Sequence, residues 1–429
     1  MTNINTAGRL LWEKEQSRRR NAGVTKGQAF VNLTPGSSRP SPSPALGQAN
    51  DVAPNGRIQR FIAANRIPTP FVVVDLDIVR ENFRALAALF PRAAIFYAVK
   101  ANPSAPVITA LAELGARFDL ASEGEIERCR EAGVAAARLS FGNTVKREAE
   151  IARASQSGID LFAFDSIAEL EKIARAAPGA RVFCRMLVEN KGADWPLTRK
   201  FGCTASMAVD LLRHAPRLGL RPVGVSFHVG SQQTDPQQWR PAIAAAAGIF
   251  HGCARAGVDL ELLNVGGGFP AHYRTPVPQL AAYAEAIHGS LAESFGAAPP
   301  QIVLEPGRYL VGDAGILRTE VLLVAQKSRR SAERWVYLDA GRYNGLPETQ
   351  SERIQYRFRT PHDGKPTGPV ILAGPTCDST DILYQRARYD LPLALAVGDP
   401  VEVLSAGAYT ASYASVEFNG FTPVRTCCI

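Results

Sequence analysis

The run Phe96-Tyr97-Ala98-Val99-Lys100-Ala101-Asn102-Pro103 is short, apolar and β-prone, ends on one lysine and is broken at once by Asn-Pro. A strand with a lysine at its C-terminal end offers that amine to whatever binds at the mouth of a parallel sheet. Taken alone, Lys100 is one lysine among many, and most lysines are solvated surface groups. The pattern on either side decides how to read it. From residue 57 onward a short apolar run, a turn and a helical stretch recur in that order. The strands predicted are Ala94–Val99, Arg117–Leu120, Arg138–Phe141, Leu161–Phe164, Arg181–Leu187, Gly224–Val229, Leu262–Val265 and Ile302–Glu305. Between them lie helices over Ser104–Leu114, Glu123–Ala132, Lys146–Gln156, Ile167–Ala177, Ala205–His214, Gln238–Ala256 and Pro278–Phe295.

Eight strands, each followed by a helix until the last, predict an α/β fold built on a (β/α)8 TIM-type barrel. A doubly wound sheet would show the same alternation. Here, however, a polar residue or glycine ends nearly every strand, as a barrel with a single active face requires. After Arg308 the grammar changes to Val321-Leu-Leu-Val-Ala, Trp335-Val-Tyr-Leu-Asp, Val370-Ile-Leu-Ala-Gly and Pro400-Val-Glu-Val-Leu, strands without long helices. These predict a C-terminal β-sandwich or β-barrel-like domain. The apolar strand Phe71-Val-Val-Val-Asp-Leu, ahead of the barrel, is suited to pair with it. The expected organisation is a disordered tail over 1–56, a strand joining the β domain within 57–77, the barrel over 78–310 and the β domain over 311–429. No internal repeat occurs.

The length of 429 residues exceeds what one core usually serves, which agrees with two domains. The formal charge is +8, and the first 56 residues carry seven Lys/Arg against three acids, so half of the excess sits in the tail. The near-balanced remainder argues against a nucleic-acid footprint on the folded body. The tail passes through Arg18-Arg19-Arg20 into a Pro/Ser-rich run from Pro35 to Pro44, a composition expected to stay disordered. An organelle transit peptide is the alternative reading, opposed by Glu13 and Glu15. Seven irregularly spaced cysteines fit neither a disulfide framework nor paired CxxC zinc spacing. With no apolar run of about 18 residues and no apolar signal core, the expectation is a cytoplasmic protein that makes no membrane contact.

Three strand ends carry further chemistry. Val265-Gly266-Gly267-Gly268-Phe269-Pro270 lets backbone amides approach an anion such as phosphate. Gly266, Gly268 and Ala271 also fit a loose G-x-G-x-x-A fingerprint, but Pro270 prevents a helix from opening there, and a bare glycine-rich turn is the bland alternative. Phe227-His228-Val229-Gly230-Ser231 ends in an imidazole, a glycine and a hydroxyl, although a lone histidine at a strand end is more often structural. Glu305-Pro306-Gly307-Arg308 brings a buried carboxylate and a guanidinium fork, which could equally form a plain ion pair. An amine, a phosphate cradle, a flat imidazole, an acid and an arginine on one face form the set that pyridoxal 5'-phosphate needs. It takes a Schiff-base lysine, a phosphate site, a ring-stacking face and an acid that keeps the pyridine nitrogen protonated.

Over residues 57–429 the chain resembles the fold-type III pyridoxal-phosphate decarboxylases of the ornithine decarboxylase group. The motifs that carry the resemblance are FYAVKANP, FDLASEGEI, FGNTVK, RKFG, FHVGS, NVGGGFP, EPGRYLV, GPTCDSTD, and GAYT with FNGF. The resemblance implies that Lys100 carries the cofactor as a Schiff base, that His228 stacks on its ring and that Glu305 pairs with its pyridine nitrogen. It further implies that Ser231, Gly266, Gly267, Gly268, Gly307, Arg308 and Tyr409 hold the phosphate, with Asp119 and Arg185 supporting the ring. Cys377 resembles the cysteine that reaches in from a second subunit to protonate the carbanion, which implies a homodimer with shared active sites. Its bland alternative is a small buried side chain.

Asp378 and Asp339 are expected at the distal end of the substrate, where carboxylates favour a side-chain ammonium. A small basic amino acid follows: ornithine giving putrescine for polyamine biosynthesis, then lysine, with diaminopimelate behind because that branch usually reads Cys-Glu-Ser where this chain reads Cys-Asp-Ser. Arg342, in a stretch that shapes the pocket, opposes the ammonium argument if it points inward. A non-catalytic pyridoxal-phosphate carrier is opposed by the added β domain with Cys377. A catalytically dead regulatory relative is opposed by the presence of both Lys100 and Cys377. Racemization would need a second base opposite the lysine, and Tyr409 is matched to the phosphate instead.

Overall fold

The computed structural model describes residues 56–197 and 200–429. The expectations for the tail, disorder and transit peptide alike, fall on 1–55 and lie outside the described residues, as does Arg199 of the RKFG motif. A helix over Gly56–Ala64 precedes β1 (Phe71–Val74), whose four residues are all buried.

The barrel strands are β2 (Ala94–Ala98), β3 (Arg117–Leu120), β4 (Leu139–Phe141), β5 (Leu161–Phe164) and β6 (Arg181–Arg185). After a short β7 (Ala193–Trp195) come β8 (Arg221–Ser226), a short β9 (Ser231–Gln233), β10 (Leu262–Asn264) and β11 (Gln301–Leu304). The eight strands β10-β11-β2-β3-β4-β5-β6-β8 close into a barrel, every pairing parallel. Phe96, Leu161, Ala163, Phe183, Val223, Leu262 and Val303, from six of these strands, pack together in a cluster of their own. The barrel is thus filled with side chains rather than open as a pore. Alternate residues such as Tyr97, Phe118, Phe141, Phe162 and Phe164 join the larger core that the helices cover. The strands are short apolar runs buried on both faces, which is why they read clearly in the sequence.

The sequence places Lys146 in the first turn of a helix, but that helix spans Glu148–Gln156. Lys146 is instead buried, its Nζ donating to Asn143 O (2.7 Å) and Ala163 O (2.6 Å) and pairing with Glu169 (2.9 Å). A buried ammonium without such partners would be costly, so the side chain is drawn inward ahead of the helix.

The β domain holds β12 (Gly315–Ala325), β13 (Arg334–Leu338), β14 (Phe358–Arg359), β15 (Thr367–Ala373), β16 (Ile382–Pro392), β17 (Pro400–Leu404) and β18 (Arg425–Cys428). They form one sheet ordered β14-β17-β12-β13-β15-β16, which β1 and β18 extend. β1 pairs antiparallel with β12, Phe71 facing Arg318, and parallel with β18, Phe71 facing Arg425. Among the described residues no helix is long and apolar enough to cross a membrane.

Candidate active site

β2 stops at Ala98, and Val99–Ala101 tightens into a 3-10 turn that lifts Lys100 into the mouth of the barrel, where its side chain is exposed. Asn102 locks the turn: its Nδ2 donates to Gly407 O (3.0 Å), its Oδ1 accepts from Ser104 N (3.2 Å), and its own carbonyl accepts from Tyr97 Oη (2.9 Å). Pro103 then prevents the strand from continuing. The β domain reaches over the same turn. Tyr409 N donates to Ala101 O (2.8 Å) and Ser412 Oγ to Lys100 O (2.9 Å). Enclosure by protein opposes the Lys100 ammonium, but negative charge at Tyr409 and Asp119 outweighs it and raises the lysine pKa.

Asp119 on β3, Arg185 at the end of β6, His228 just past β8 and Glu305 just past β11 surround this amine electrostatically. Burial, with Asp119 adding repulsion, lifts the Glu305 carboxyl to about 7, while Asn264 Nδ2 donates to its Oε1. The same Asn264 accepts from Gly266 N through Oδ1 (2.9 Å), tying the acid to the glycine turn. Burial, then the charges of Arg185 and Lys100, push His228 well below its ordinary pKa. Gly230 N donates to His228 Nδ1 (3.1 Å), so the neutral ring carries its proton on Nε2. Burial raises the Asp119 pKa against the pull of Lys100 and Arg185, and its Oδ1 is buried with no hydrogen-bond partner among the described residues. Gly142, of the FGNTVK motif, leaves no room for a Cβ against that oxygen.

Across the mouth, Gly266 and Gly268 have φ of 72° and 106°, conformations that favour glycine. Beside them Arg308 Nη2 and Nε donate to Ser231 Oγ (3.1 and 3.3 Å), and the guanidinium carbon lies 4.9 Å from the centre of the Tyr409 ring. A Cβ added at Gly307 would lie 3.4 Å from Tyr409 Oη, so the glycine admits the tyrosine. Lys100, Asp119, Arg185, His228, Ser231, Gly266–Gly268, Glu305, Gly307, Arg308 and Tyr409 are therefore brought to one end of the barrel.

The remaining three expected residues belong to the β domain. Cys377 and Asp378 follow β15 at the surface of the β domain, Cys377 exposed. Asp339, just past the end of β13, accepts through Oδ1 from Glu320 N (2.9 Å) on the backbone of its own domain. Arg342 donates from Nη2 to Ile382 O (2.8 Å), and its charge helps to hold Asp378 ionised. Sequence reading missed Asn264, Tyr273, Ser412 and Glu348. The first two flank the glycine motif, so position could have flagged them. Glu348 is a lone acid in a loop with no local signal, yet it forms a buried two-pronged ion pair with Arg308.

The donor set suits an aldehyde-bearing aromatic phosphate: an amine for the aldehyde, an acid for a ring nitrogen, a neutral flat imidazole, and hydroxyls with a guanidinium for the anion. The orphaned oxygen of Asp119 and the Cβ-free glycine turn are features such a group would explain. Residues 76–312 match the family model described as "Pyridoxal-dependent decarboxylase, pyridoxal binding domain". The chain is 37% identical over 360 residues to lysine/ornithine decarboxylase of Selenomonas ruminantium, covering 83% of this chain and 89% of that protein. It is 34% identical to mouse ornithine decarboxylase, covering 82% and 78%. The crystal structure of Paramecium bursaria Chlorella virus arginine decarboxylase bound to agmatine superposes with a TM-score of 0.80 at 28% identity, covering 87% and 100%. Fold, strand-end chemistry and likeness agree, and the chain belongs to the pyridoxal-phosphate-dependent amino-acid decarboxylases.

Proposed function

We propose that the protein decarboxylates a basic L-amino acid, L-ornithine first, to putrescine, in a homodimer whose subunits complete each other's sites. The observation that carries this reading is the Cys377-Asp378 pair. Asp378 accepts from Thr380 Oγ1 (2.6 Å) and Thr380 N (2.7 Å), and these bonds hold its carboxyl below the usual range. A permanent carboxylate beside an exposed thiol, at the surface of the single chain, suits a segment that enters another subunit's site and receives a side-chain ammonium there.

Pyridoxal phosphate, when bound, supplies an electron sink for the pair left on the substrate's α-carbon as carbon dioxide departs. Lys100 provides the amine that anchors its aldehyde carbon. Glu305 holds a proton at the ring nitrogen, with Asp119 and Arg185 as neighbouring charges. His228, neutral, would offer its flat ring as the stacking face for the cofactor. Ser231, Gly266, Gly267, Gly268, Gly307, Arg308 and Tyr409 hold the phosphate. Cys377 of the partner subunit delivers a proton to the α-carbon, which fixes the amine product. All seven cysteines are free, which supports a reducing, cytoplasmic setting.

The likeness to the Selenomonas enzyme favours lysine as the second reading. One methylene in a pocket changes discrimination by about 1–3 kcal/mol, so the two substrates differ by a modest factor. Carbon dioxide release from ornithine, lysine, arginine and diaminopimelate tests the proposal. Ornithine should give the highest kcat/KM; lysine above ornithine replaces the substrate but not the chemistry. Release from diaminopimelate alone overturns the distal-ammonium reading.

A further inference from the structure

Arg308 is 3% exposed, and all five of its N–H groups are engaged. Nη1 donates to Tyr273 Oη (2.7 Å) and Glu348 Oε2 (2.7 Å), Nη2 to Glu348 Oε1 (2.6 Å) and Ser231 Oγ (3.1 Å), and Nε to Ser231 Oγ (3.3 Å). Glu348 is likewise 3% exposed and comes from the β domain, near the start of a kinked 3-10 stretch over Pro347–Glu352. Thr349 Oγ1 donates to Leu346 O (2.7 Å) and Ile354 N to Glu348 O (3.1 Å), so the backbone behind the carboxylate is itself tied down.

Two consequences follow from this geometry. The fork-to-fork pair fixes the plane of the guanidinium, which a single-point contact would leave free to rotate. It also fixes Ser231. A hydroxyl has two lone pairs and one hydrogen. Both N–H groups from Arg308 fall on the oxygen, so the hydrogen must point away from the guanidinium.

We propose that Glu348 is a positioning residue of the cofactor site: it locks Arg308 so that Ser231 presents its hydrogen, not a lone pair, to the cofactor's phosphate. The proposal rests on reading Ser231 as a phosphate ligand, with Arg308 the cation beside it, its five N–H groups already taken up by protein partners. A mere strut between barrel and β domain would join the same two residues without acting through Ser231, and the test separates the two roles.

Full-length protein freed of cofactor is titrated with pyridoxal phosphate by fluorescence quenching, and with inorganic phosphate as competitor, for the parent, Glu348→Gln, Ser231→Ala and the double variant. Glu348→Gln keeps the shape but drops the charge. It should weaken both ligands about tenfold, the loss expected for one charge-assisted hydrogen bond. In the Ser231→Ala background the same change should cost no more than about twofold, because the group it acts through is gone. Parent-like affinity of Glu348→Gln for both ligands overturns the proposal, as do losses that multiply in the double variant. If Ser231→Ala alone leaves both affinities unchanged, the phosphate-ligand reading fails, and the role of Glu348 with it. Should Glu348→Gln not accumulate folded, Glu348→Asp takes its place. It keeps the charge but shortens the fork, so the same cycle should give a smaller, still non-multiplicative loss, and no loss at all overturns the proposal.

Discussion

Replacing Gly268 by alanine tests the phosphate cradle through sterics alone. An ideal Cβ at this position lies 2.6 Å from Gly230 O and 3.2 Å from Val229 Cγ2. Carbon and carbonyl oxygen settle at about 3.3 Å or more, so one backbone must yield by about 0.7 Å. Neither is free to do so. Gly268 O accepts from Gln233 N (2.9 Å), and Gly230 N donates to His228 Nδ1 (3.1 Å), so the displacement passes into the segment that carries His228 and Ser231. The φ of 106° adds strain for any residue with a Cβ, on the order of 1–3 kcal/mol. A misplacement near 1 Å can lower turnover about 100-fold. The expected phenotype is a kcat for carbon dioxide release reduced by one to two orders of magnitude and a weaker pyridoxal phosphate Kd, on a protein that remains folded. Gly289→Ala is the control: that glycine lies within the helix Leu280–Phe295, and an added Cβ meets nothing within 4 Å, so activity should be unchanged and stability level or slightly raised. A Gly268→Ala enzyme with parental kcat and cofactor affinity would refute the reasoning, because the turn would then have slack that the packing denies.

Borohydride reduction of the holoenzyme should fix the cofactor to Lys100, and peptide mapping that finds it on another lysine removes Lys100 from its role. Mixing Lys100→Ala with Cys377→Ala subunits should restore about one native site per heterodimer by statistical exchange; activity held at the parents' level after demonstrated exchange rules out a site shared in trans. His272 and Asp313 form a pair at 2.7 Å that joins the run after the glycine turn to the start of β12. The bond to Asp313 raises the His272 pKa; burial opposes the Asp313 carboxylate, but the bonds from His272 outweigh it and hold it low. The histidine's share of stability is complete below about pH 6.5 and fades as pH rises through its raised value, while the aspartate's is present above about pH 4 and fades on acidification. His272→Gln should therefore cost more at pH 6 than at pH 9, by at most about 1 kcal/mol because the ring is half exposed. An equal loss of thermal midpoint at both pH values shows that the pair carries no charge-dependent stability.

How legible each element is depends on how local its cause is. The barrel strands are short apolar runs bounded by turns, and their C-terminal ends carry the chemistry, so both fold and most strand-end residues could be read along the chain. β16, the partner of β15, escaped because Gln385, Arg386 and Arg388 interrupt its apolar pattern on the exposed face. β18 escaped because four residues ending in Cys427-Cys428 have no period to detect, and their partner β1 lies at the other end of the described chain. Among site residues, Asp119 was reached only through resemblance: nothing along the chain tells that its oxygen is orphaned or that Gly142 packs against it. Glu348 was invisible for the same reason, since an acid in a loop gains meaning only from the guanidinium that folding brings to it. Asp339 shows the same limit, since the chain gives no sign that its Oδ1 accepts from Glu320 N across the sheet.

The position of β1 has a consequence for how the chain is made. Phe71–Val74 emerges from the ribosome before any barrel strand, yet both of its neighbours, Gly315–Arg318 and Arg425–Cys428, are synthesised only after the barrel is complete. The barrel's own pairings are between strands from Ala94 to Leu304, so it can close during synthesis. Throughout that time the nascent protein carries an unpaired Phe-Val-Val-Val segment, four apolar residues with both hydrogen-bonding edges open, the kind of sequence that seeds cross-chain association. Premature termination ahead of Arg425 would leave one of those edges open for good, on a protein whose catalytic face is already built. Release of aggregation-free enzyme thus hinges on a strand translated long after the barrel, far along the chain from Lys100 and the barrel's strand-end residues.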